Sequence, residues 1–176
     1  DEFQQGGYAR HIDAGYYSNV VPFKTVLFTY PYYLPRLWFD RARPILLAQR
    51  AETVVIVIGT LLVQYAVSRR LGRTRTEAGF VAGITLSFST FFEHAGALRA
   101  EPAALLLAML ALLAVVAAAR APQSRGSLFA AGLALGGSFL CTQKAVWFCV
   151  SIGVATLFAS WIQLRSHVNH EKRELV

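Results

Sequence analysis

The sequence is poor in charged residues and in cysteine. Only 15% of the 176 residues are charged and 55% are hydrophobic, whereas a soluble domain typically has about 25% charged residues. The two cysteines, Cys141 and Cys149, form no CxxC pair and have no histidine near them in the sequence. We therefore expect both to be small apolar side chains of the interior, and neither disulfide partners nor metal ligands.

Short motifs of common soluble enzymes are also missing, since the sequence contains no GxSxG, HExxH, P-loop or GxGxxG pattern. A net charge of +7 would suggest nucleic-acid binding in a soluble protein. Here the basic residues lie at the ends of apolar blocks, and no nucleic-acid-binding fold accompanies them, so orientation in a membrane explains them better. We expect no nucleic-acid partner.

Apolar residues form five blocks whose lengths approach that of a membrane-spanning helix. A hydrocarbon core about 30 Å thick requires roughly 20 apolar residues in a helix. Pro44 and Pro102 suit a first helical turn, because the N–H that proline lacks has no helical partner there. The sequence predicts an all-α integral membrane protein with about five transmembrane helices, part of a bundle. The blocks are 44–67, 78–98, 102–119, 128–141 and 145–164, the fourth being short for a full crossing.

Basic residues are concentrated in every second connection between these blocks, at 68–75, 120–125 and 165–173. Loops rich in Lys and Arg remain in the cytoplasm, so the connections at 99–101 and 142–144 are expected outside. This alternation predicts a multi-pass protein of the inner or plasma membrane. Its N-terminal segment is expected outside the cell and its C-terminus inside.

The N-terminal segment 1–43 is rich in Tyr, Phe, Trp and Pro, with charges between them. That mixture is typical of a segment at the level of the lipid headgroups, although residues 31–39 also fit a short additional helix or a re-entrant piece. We expect one membrane domain, with 1–43 extracytoplasmic or interfacial, 44–164 a helical bundle and 165–176 a cytoplasmic tail or loop. Because the chain begins with Asp1 and not with Met, we expect a piece of a longer protein.

Two glycine pairs have the spacing that permits close packing of membrane helices. They are Gly79 with Gly83 and Gly132 with Gly136. This pattern favours a packed bundle and carries no information about chemistry.

Ionisable residues gather in the connections expected outside. Such groups are costly near membrane depth, so they usually face a cavity or a partner. For any one of them, ordinary surface charge at a helix end is an equally good explanation, but the set as a whole favours a site. The set comprises Asp1, Glu2, Glu93, His94, Arg99, Glu101 and Lys144.

The order of several short motifs resembles the front half of the polytopic glycosyltransferases with the GT-C fold. The most similar group is the protein-mannosyltransferase-like and aminoarabinose-transferase-like enzymes, of the family 39 and family 83 type. Each motif alone is weak, and their order and spacing over nearly the whole chain carry the resemblance. The motifs are Asp1-Glu2, Pro31-Tyr32-Tyr33-Leu34, Gln49-Arg50, Ser68-Arg69-Arg70-Leu71-Gly72, Leu98-Arg99-Ala100-Glu101-Pro102, the run from Ala131 to Gly136, and Thr142-Gln143-Lys144.

The resemblance implies a sugar donor linked to a polyprenyl or dolichyl phosphate, and a lipid, glycan or protein acceptor outside the cytoplasm. It assigns a catalytic-base or metal-associated role to Asp1, with Glu2 beside it, and a second carboxylate to Glu101. Many members carry a further acid that is missing from 25–30 here, which leaves a requirement for a divalent cation open.

The residue types suit this chemistry. Glycosyl transfer from a lipid phosphate needs a base for the proton of the acceptor hydroxyl and a cation for the leaving phosphate. Arg99 and Lys144, or a metal ion, can meet that phosphate. We expect transfer with inversion, in contact with membrane lipids.

The alternative is a non-catalytic polytopic membrane protein, either a transporter segment or a structural subunit. The missing acid favours it. Against a transporter, no charge lies in the middle of a predicted span, and Gln64 is the main polar residue within one. An isolated glutamine of this kind is usually a contact between packed helices.

Overall fold

The computed structural model of the chain describes residues 33–87, 100–120 and 125–157. Every regular element in these ranges is helical, which confirms the predicted all-α class. A 3-10 turn precedes the first helix, and a second one joins the last two helices. In chain order the elements are the 3-10 turn Leu34–Leu37, α1 (Ala42–Arg70), α2 (Arg75–Ser87), α3 (Ala100–Arg120), α4 (Arg125–Cys141), the 3-10 turn Gln143–Ala145 and α5 (Val146–Leu157).

Two of these helices, α1 and α3, are long and apolar enough to cross a membrane. With 29 and 21 residues and a rise of about 1.5 Å per residue, they measure roughly 43 and 31 Å. Both cover the apolar blocks predicted for them. The helix α4 is shorter, as expected, while α2 and α5 begin where the second and fifth blocks begin.

Local hydrogen bonds fix the turn between α1 and α2. Gly72 has φ +88°, and its N–H donates to the Arg69 carbonyl at 3.1 Å while the Arg73 N–H donates to the Ser68 carbonyl at 3.2 Å. This pair of bonds is a Schellman motif, which ends a helix at a residue with positive φ. Glycine tolerates that conformation without a steric penalty.

The next helix starts at a capping box. The Thr74 N–H donates to Glu77 Oε2 at 2.8 Å, and the Glu77 N–H donates to Thr74 Oγ1 at 3.2 Å. Two backbone donors that have no partner within the helix are thereby satisfied. The chain thus reverses direction within four residues, and α2 returns along α1.

Contacts between helices define their directions. Gln64 Nε2 donates to Thr85 Oγ1 at 2.7 Å, so α2 packs antiparallel to α1, and the interpretation of Gln64 as a helix-packing contact is confirmed. Gly59 faces α3, because a Cβ built on it would lie 3.6 Å from Leu106 Cδ1. Near the start of α1, Leu46 packs against a cluster that contains Ala104, so α1 and α3 run in the same direction.

The helices α3 and α4 are antiparallel neighbours. Ser138 Oγ donates to the Ala104 carbonyl at 2.8 Å across this contact, inside the bundle. Together with the direction of α1 and α3, this arrangement gives the bundle two different ends. The starts of α1, α3 and α5 lie at one end, where Glu101 and Lys144 are found. The arginines at 69–75, 120 and 125 lie at the other, which we call the arginine end.

The interior of the bundle is built from small and polar side chains. The exterior of the same helices carries large apolar residues such as Val55, Leu62, Phe129 and Trp147. A soluble protein shows the opposite distribution, whereas helices in lipid pack through small residues and expose large apolar ones. The buried residues include Gln49, Thr53, Thr60, Ala104, Ala108, Ala111, Ala131, Ser138 and Ala145.

Glycine pairs do not form these contacts. A Cβ added to Gly79, Gly83, Gly132 or Gly136 would meet nothing within 4 Å, and all four residues are exposed. The prediction that they mediate close packing is wrong for the described part of the chain. Alanines of α3 take that role, because their spacing places them on one face of the helix.

The predicted domain boundaries lie largely outside the described residues, which begin at position 33 and end at position 157. Within 31–39, the described residues Leu34–Leu37 form a single 3-10 turn. Pro35 in this turn is buried, while Trp38 just beyond it is 72% exposed. An exposed tryptophan next to the start of an apolar helix is common where a helix meets the membrane surface.

Candidate functional site

The candidate site lies where α3 begins and α4 passes into α5. Glu101 is the second residue of α3, and Lys144 is the central residue of the 3-10 turn Gln143–Ala145. Cys141 and Ala145, on either side of Lys144, are both buried and pack against Ala104 of α3. These two anchors hold the turn over the first turn of α3 and so bring Lys144 to Glu101.

The two predicted site residues form an ion pair. Lys144 Nζ lies 2.8 Å from Glu101 Oε1, across 43 residues of sequence. The lysine side chain is 75% exposed and the glutamate side chain 42% exposed. An ion pair so accessible contributes at most about 1 kcal/mol to stability. Its importance is geometric, because it sets an ammonium and a carboxylate side by side.

The position of Glu101 also suits a carboxylate. The N-terminal end of a helix carries a partial positive charge and unpaired N–H groups, which favour a nearby negative charge. Glu101 therefore has two sources of positive potential, Lys144 and the start of α3. An incoming anion at this end of α3 would meet the same two sources.

Three of the five predicted site residues, Asp1, Glu2 and Arg99, lie outside the described residues. The predicted approach of Asp1 to Glu101 therefore stays a prediction, as does a phosphate contact by Arg99. Within the described ranges, no group of three or more His, Cys, Asp or Glu residues is placed to hold a metal ion. Cys141 is a free, buried thiol and Cys149 a free, partly buried one, as their positions in apolar blocks predicted.

One acidic residue near the site was missed by the sequence argument. Glu52, on α1, has its Oε2 atom buried, and no described residue donates a hydrogen bond to it. Its neighbours Gln49 and Thr53 are also buried. The Thr53 hydroxyl donates to the Gln49 carbonyl at 3.1 Å, so its proton is already used within the helix.

The register of the helices puts Glu52 near the depth of Glu101. Glu52 precedes Gly59 by seven residues, about two helical turns, and Gly59 faces Leu106. Two turns before Leu106, the parallel helix α3 is at its start, beside Glu101. The signal in the sequence was a lone glutamate within an apolar block, just before the cleanest apolar run. Ionisable residues in such places are functional candidates.

The described residues thus form an all-helical protein in which two helices have the length and composition of membrane spans. At one end of the helices an acidic and a basic side chain meet. Compared with known proteins, the chain matches no family model, no curated protein and no solved structure.

Proposed function

We propose that the chain is a multi-pass protein of the inner or plasma membrane, with the Glu101 end of the bundle outside the cytoplasm. Small and polar residues inside and large apolar residues outside support insertion. Hydroxyl groups on the helices support it too, because Thr60, Thr85 and Thr156 each donate to the carbonyl four residues earlier. Such bonds satisfy a hydroxyl where no water is available.

The distribution of charge supports the orientation. The described helices carry no charged residue in 53–68, 78–87, 102–119, 126–143 or 145–157. At the arginine end there are six arginines and one glutamate, whereas the opposite end has five basic and three acidic residues. The larger excess of basic residues belongs on the cytoplasmic side.

We further propose that the protein is a GT-C-like glycosyltransferase that uses a sugar linked to a polyprenyl or dolichyl phosphate. The observation that carries this proposal is the Lys144–Glu101 pair, 2.8 Å apart at the end expected outside. It supplies, at one point of the bundle, the cation and the carboxylate that the reaction needs. The acceptor is a lipid, a glycan or a protein outside the cytoplasm.

In this mechanism Lys144 exchanges partners. As the lipid phosphate arrives, the ammonium moves from Glu101 to the phosphate, whose negative charge grows when its bond to the sugar breaks. A carboxylate takes the proton of the acceptor hydroxyl while the acceptor oxygen forms its bond to the anomeric carbon. Asp1, Glu2 and Glu101 are the carboxylates proposed for this step, and Arg99 is a second phosphate contact. Attack on the face opposite the phosphate inverts the configuration.

A non-catalytic membrane protein is the second candidate, and one observation favours it. Lys144 and Glu101 neutralise each other, so the pair can simply fasten the α4–α5 turn to the start of α3. A pair with this role has no need of a ligand. The two candidates differ in what happens when only one partner is removed.

The deciding experiment compares Lys144→Ala with Glu101→Gln in the purified full chain. Undecaprenyl phosphate serves as the probe, its binding followed by native mass spectrometry and the thermal midpoint measured beside it. Under the proposal Lys144→Ala weakens binding, whereas Glu101→Gln maintains or strengthens it because the ammonium loses its competitor. Arg43→Gln, an exposed residue at the same end, is the charge control. Equal losses of thermal stability in both variants, with unchanged lipid binding, would instead support a structural ion pair.

A further inference from the structure

The arginine end carries charge that the described protein does not neutralise. All six of its arginines are exposed, at positions 69, 70, 73, 75, 120 and 125. Arg69 Nη1 donates to the Arg73 carbonyl at 2.8 Å, and the other five make no side-chain hydrogen bond or ion pair to a described residue. The single acid nearby, Glu77, is already engaged in the capping box.

Two of these arginines stand where a positive charge is unfavourable. Arg75 is the first residue of α2 and Arg125 the first residue of α4. The N-terminal end of a helix is already positive, so a cation there destabilises the helix unless an anion is close. By contrast, Arg69, Arg70 and Arg120 end their helices, where the partial charge of the helix is negative. The dipoles thus account for only part of the set.

An anion at this end would meet several favourable groups together. Free N–H groups at a helix start bind phosphate oxygens, and guanidinium groups bind phosphate in a bidentate manner. The turn from α1 to α2 and the ends of α3 and α4 all lie at this end of the bundle. In the proposed orientation this is the level of the cytoplasmic lipid headgroups, whose phosphates are the nearest abundant anions.

We propose that the arginine end is a binding site for the phosphate headgroups of anionic membrane lipids, with Arg75 and Arg125 as its central contacts. The inference rests on membrane insertion and not on glycosyl transfer. It goes beyond the orientation of the chain, because it assigns a ligand to arginines that orientation alone leaves unpaired. A lipid bound there would join the α1–α2 turn to the ends of α3 and α4.

The test titrates phosphatidylglycerol into the full chain purified in a neutral detergent, and native mass spectrometry measures the bound lipid. Phosphatidylcholine is the reference lipid. Each basic residue near a membrane surface contributes roughly a factor of five to the binding of anionic lipid, so Arg75→Gln with Arg125→Gln should weaken phosphatidylglycerol binding about 25-fold. Phosphatidylcholine binding should not change.

The matched control is Arg41→Gln with Arg43→Gln, which removes the same charge from the start of α1 at the opposite end. The control should keep its phosphatidylglycerol affinity, and an equal loss there would overturn the proposal in favour of unspecific attraction. Thermal stability in neutral detergent should not fall in Arg75→Gln with Arg125→Gln, since both changes relieve the helix dipoles. This readout separates loss of the site from loss of the fold.

Two further arms complete the test. Arg75→Lys with Arg125→Lys keeps the charge and should keep most of the affinity, so a loss as large as that of the glutamine variant would contradict electrostatic recognition. Glycerol 3-phosphate, added at the concentration of the lipid, should displace little phosphatidylglycerol. Complete displacement would reassign the site to a soluble phosphate compound. If the chain stays dispersed without detergent, membrane insertion itself fails, independently of the phosphate contacts.

Discussion

The two ends of the helix bundle handle charge in different ways. At the arginine end the charges are exposed, of one sign and mostly without partners, and hydrogen bonds of the backbone build the turn. At the other end Lys144 and Glu101 lie 2.8 Å apart, and the turn that carries Lys144 is held by the buried residues Cys141 and Ala145. Packing thus positions the paired charges, while the unpaired ones stand on turns with local hydrogen bonds.

The contrast teaches where precision is needed. An arginine that orients a helix or meets lipid headgroups acts over several ångströms, so its side chain needs no fixed position. A carboxylate and an ammonium that share one reaction must be held to within a fraction of an ångström. Substitutions of the packed residues should therefore disturb one end and leave the other intact.

The largest effect is expected from Ala104→Leu. Ala104 is fully buried and its carbonyl accepts the Ser138 hydroxyl, so added side-chain atoms have no space and should reduce the free energy of unfolding by about 1–3 kcal/mol. Unfolding in detergent micelles by a denaturant measures this. The control Ala130→Leu, on the exposed face of α4, should be nearly neutral. Equal effects of the two substitutions would contradict the packing of α3 on α4.

A smaller effect of opposite sign is expected from Glu52→Met. The buried Oε2 atom has no donor among the described residues, and a buried polar atom without a partner costs about 1–3 kcal/mol. Replacing the carboxylate with an apolar side chain of similar length should raise the thermal midpoint in detergent. A lower midpoint would mean that Glu52 has a partner that stabilises the fold.

Ser138→Ala should have a modest effect. The Ser138 hydroxyl donates to the Ala104 carbonyl at 2.8 Å inside the bundle, and hydrogen bonds between membrane helices contribute about 0.6 kcal/mol on average. Ser151→Ala, on the exposed surface of α5, is its control. The double variant with Ala104→Leu should show non-additive losses, because both changes act on one contact. Additive losses would argue against a shared contact.

The smallest effect concerns the arginine end and depends on pH. The N–H and hydroxyl groups of Thr74, and then the charge of Arg73, hold the pKa of Glu77 below its ordinary value of 4.5. A carboxyl with a lowered pKa adds stability above its unfolded pKa, and this stability is lost as the pH falls through the folded pKa. Glu77→Gln should therefore weaken the start of α2 at pH 7, and below both pKa values the difference from the unsubstituted chain should shrink. Hydrogen exchange at 75–78 follows this, and a difference independent of pH would contradict it.

Much of the fold was predictable, because long apolar blocks specify helices wherever they occur. The choice of packed face was not. The helix α1 is apolar almost all round, so only its contact with α3 decides that Gln49 and Thr53 are buried and that Glu52 is drawn inside. The spacing of Gly79 and Gly83 shows where a helix can approach closely, but it does not say which helix does so.

The candidate site was predictable in part for the same reason. The alternation of basic connections placed Glu101 and Lys144 at one end of the bundle. Their contact depends on Ala104, Cys141 and Ala145, which come together only when α3, α4 and the 3-10 turn pack. No local pattern encodes that contact, so the sequence assigned the two residues separate roles and did not predict the ion pair.

The most direct test of the account is the sidedness of the two ends. In a chain whose Cys141 and Cys149 are replaced by alanine, single cysteines at positions 40 and 73 replace the exposed residues Asp40 and Arg73. An impermeant maleimide applied to intact cells should label position 40, and position 73 only after the membrane is permeabilised. Labelling of position 73 from outside, or of both positions equally, would contradict the two-ended membrane arrangement on which the proposed site and the lipid contacts depend.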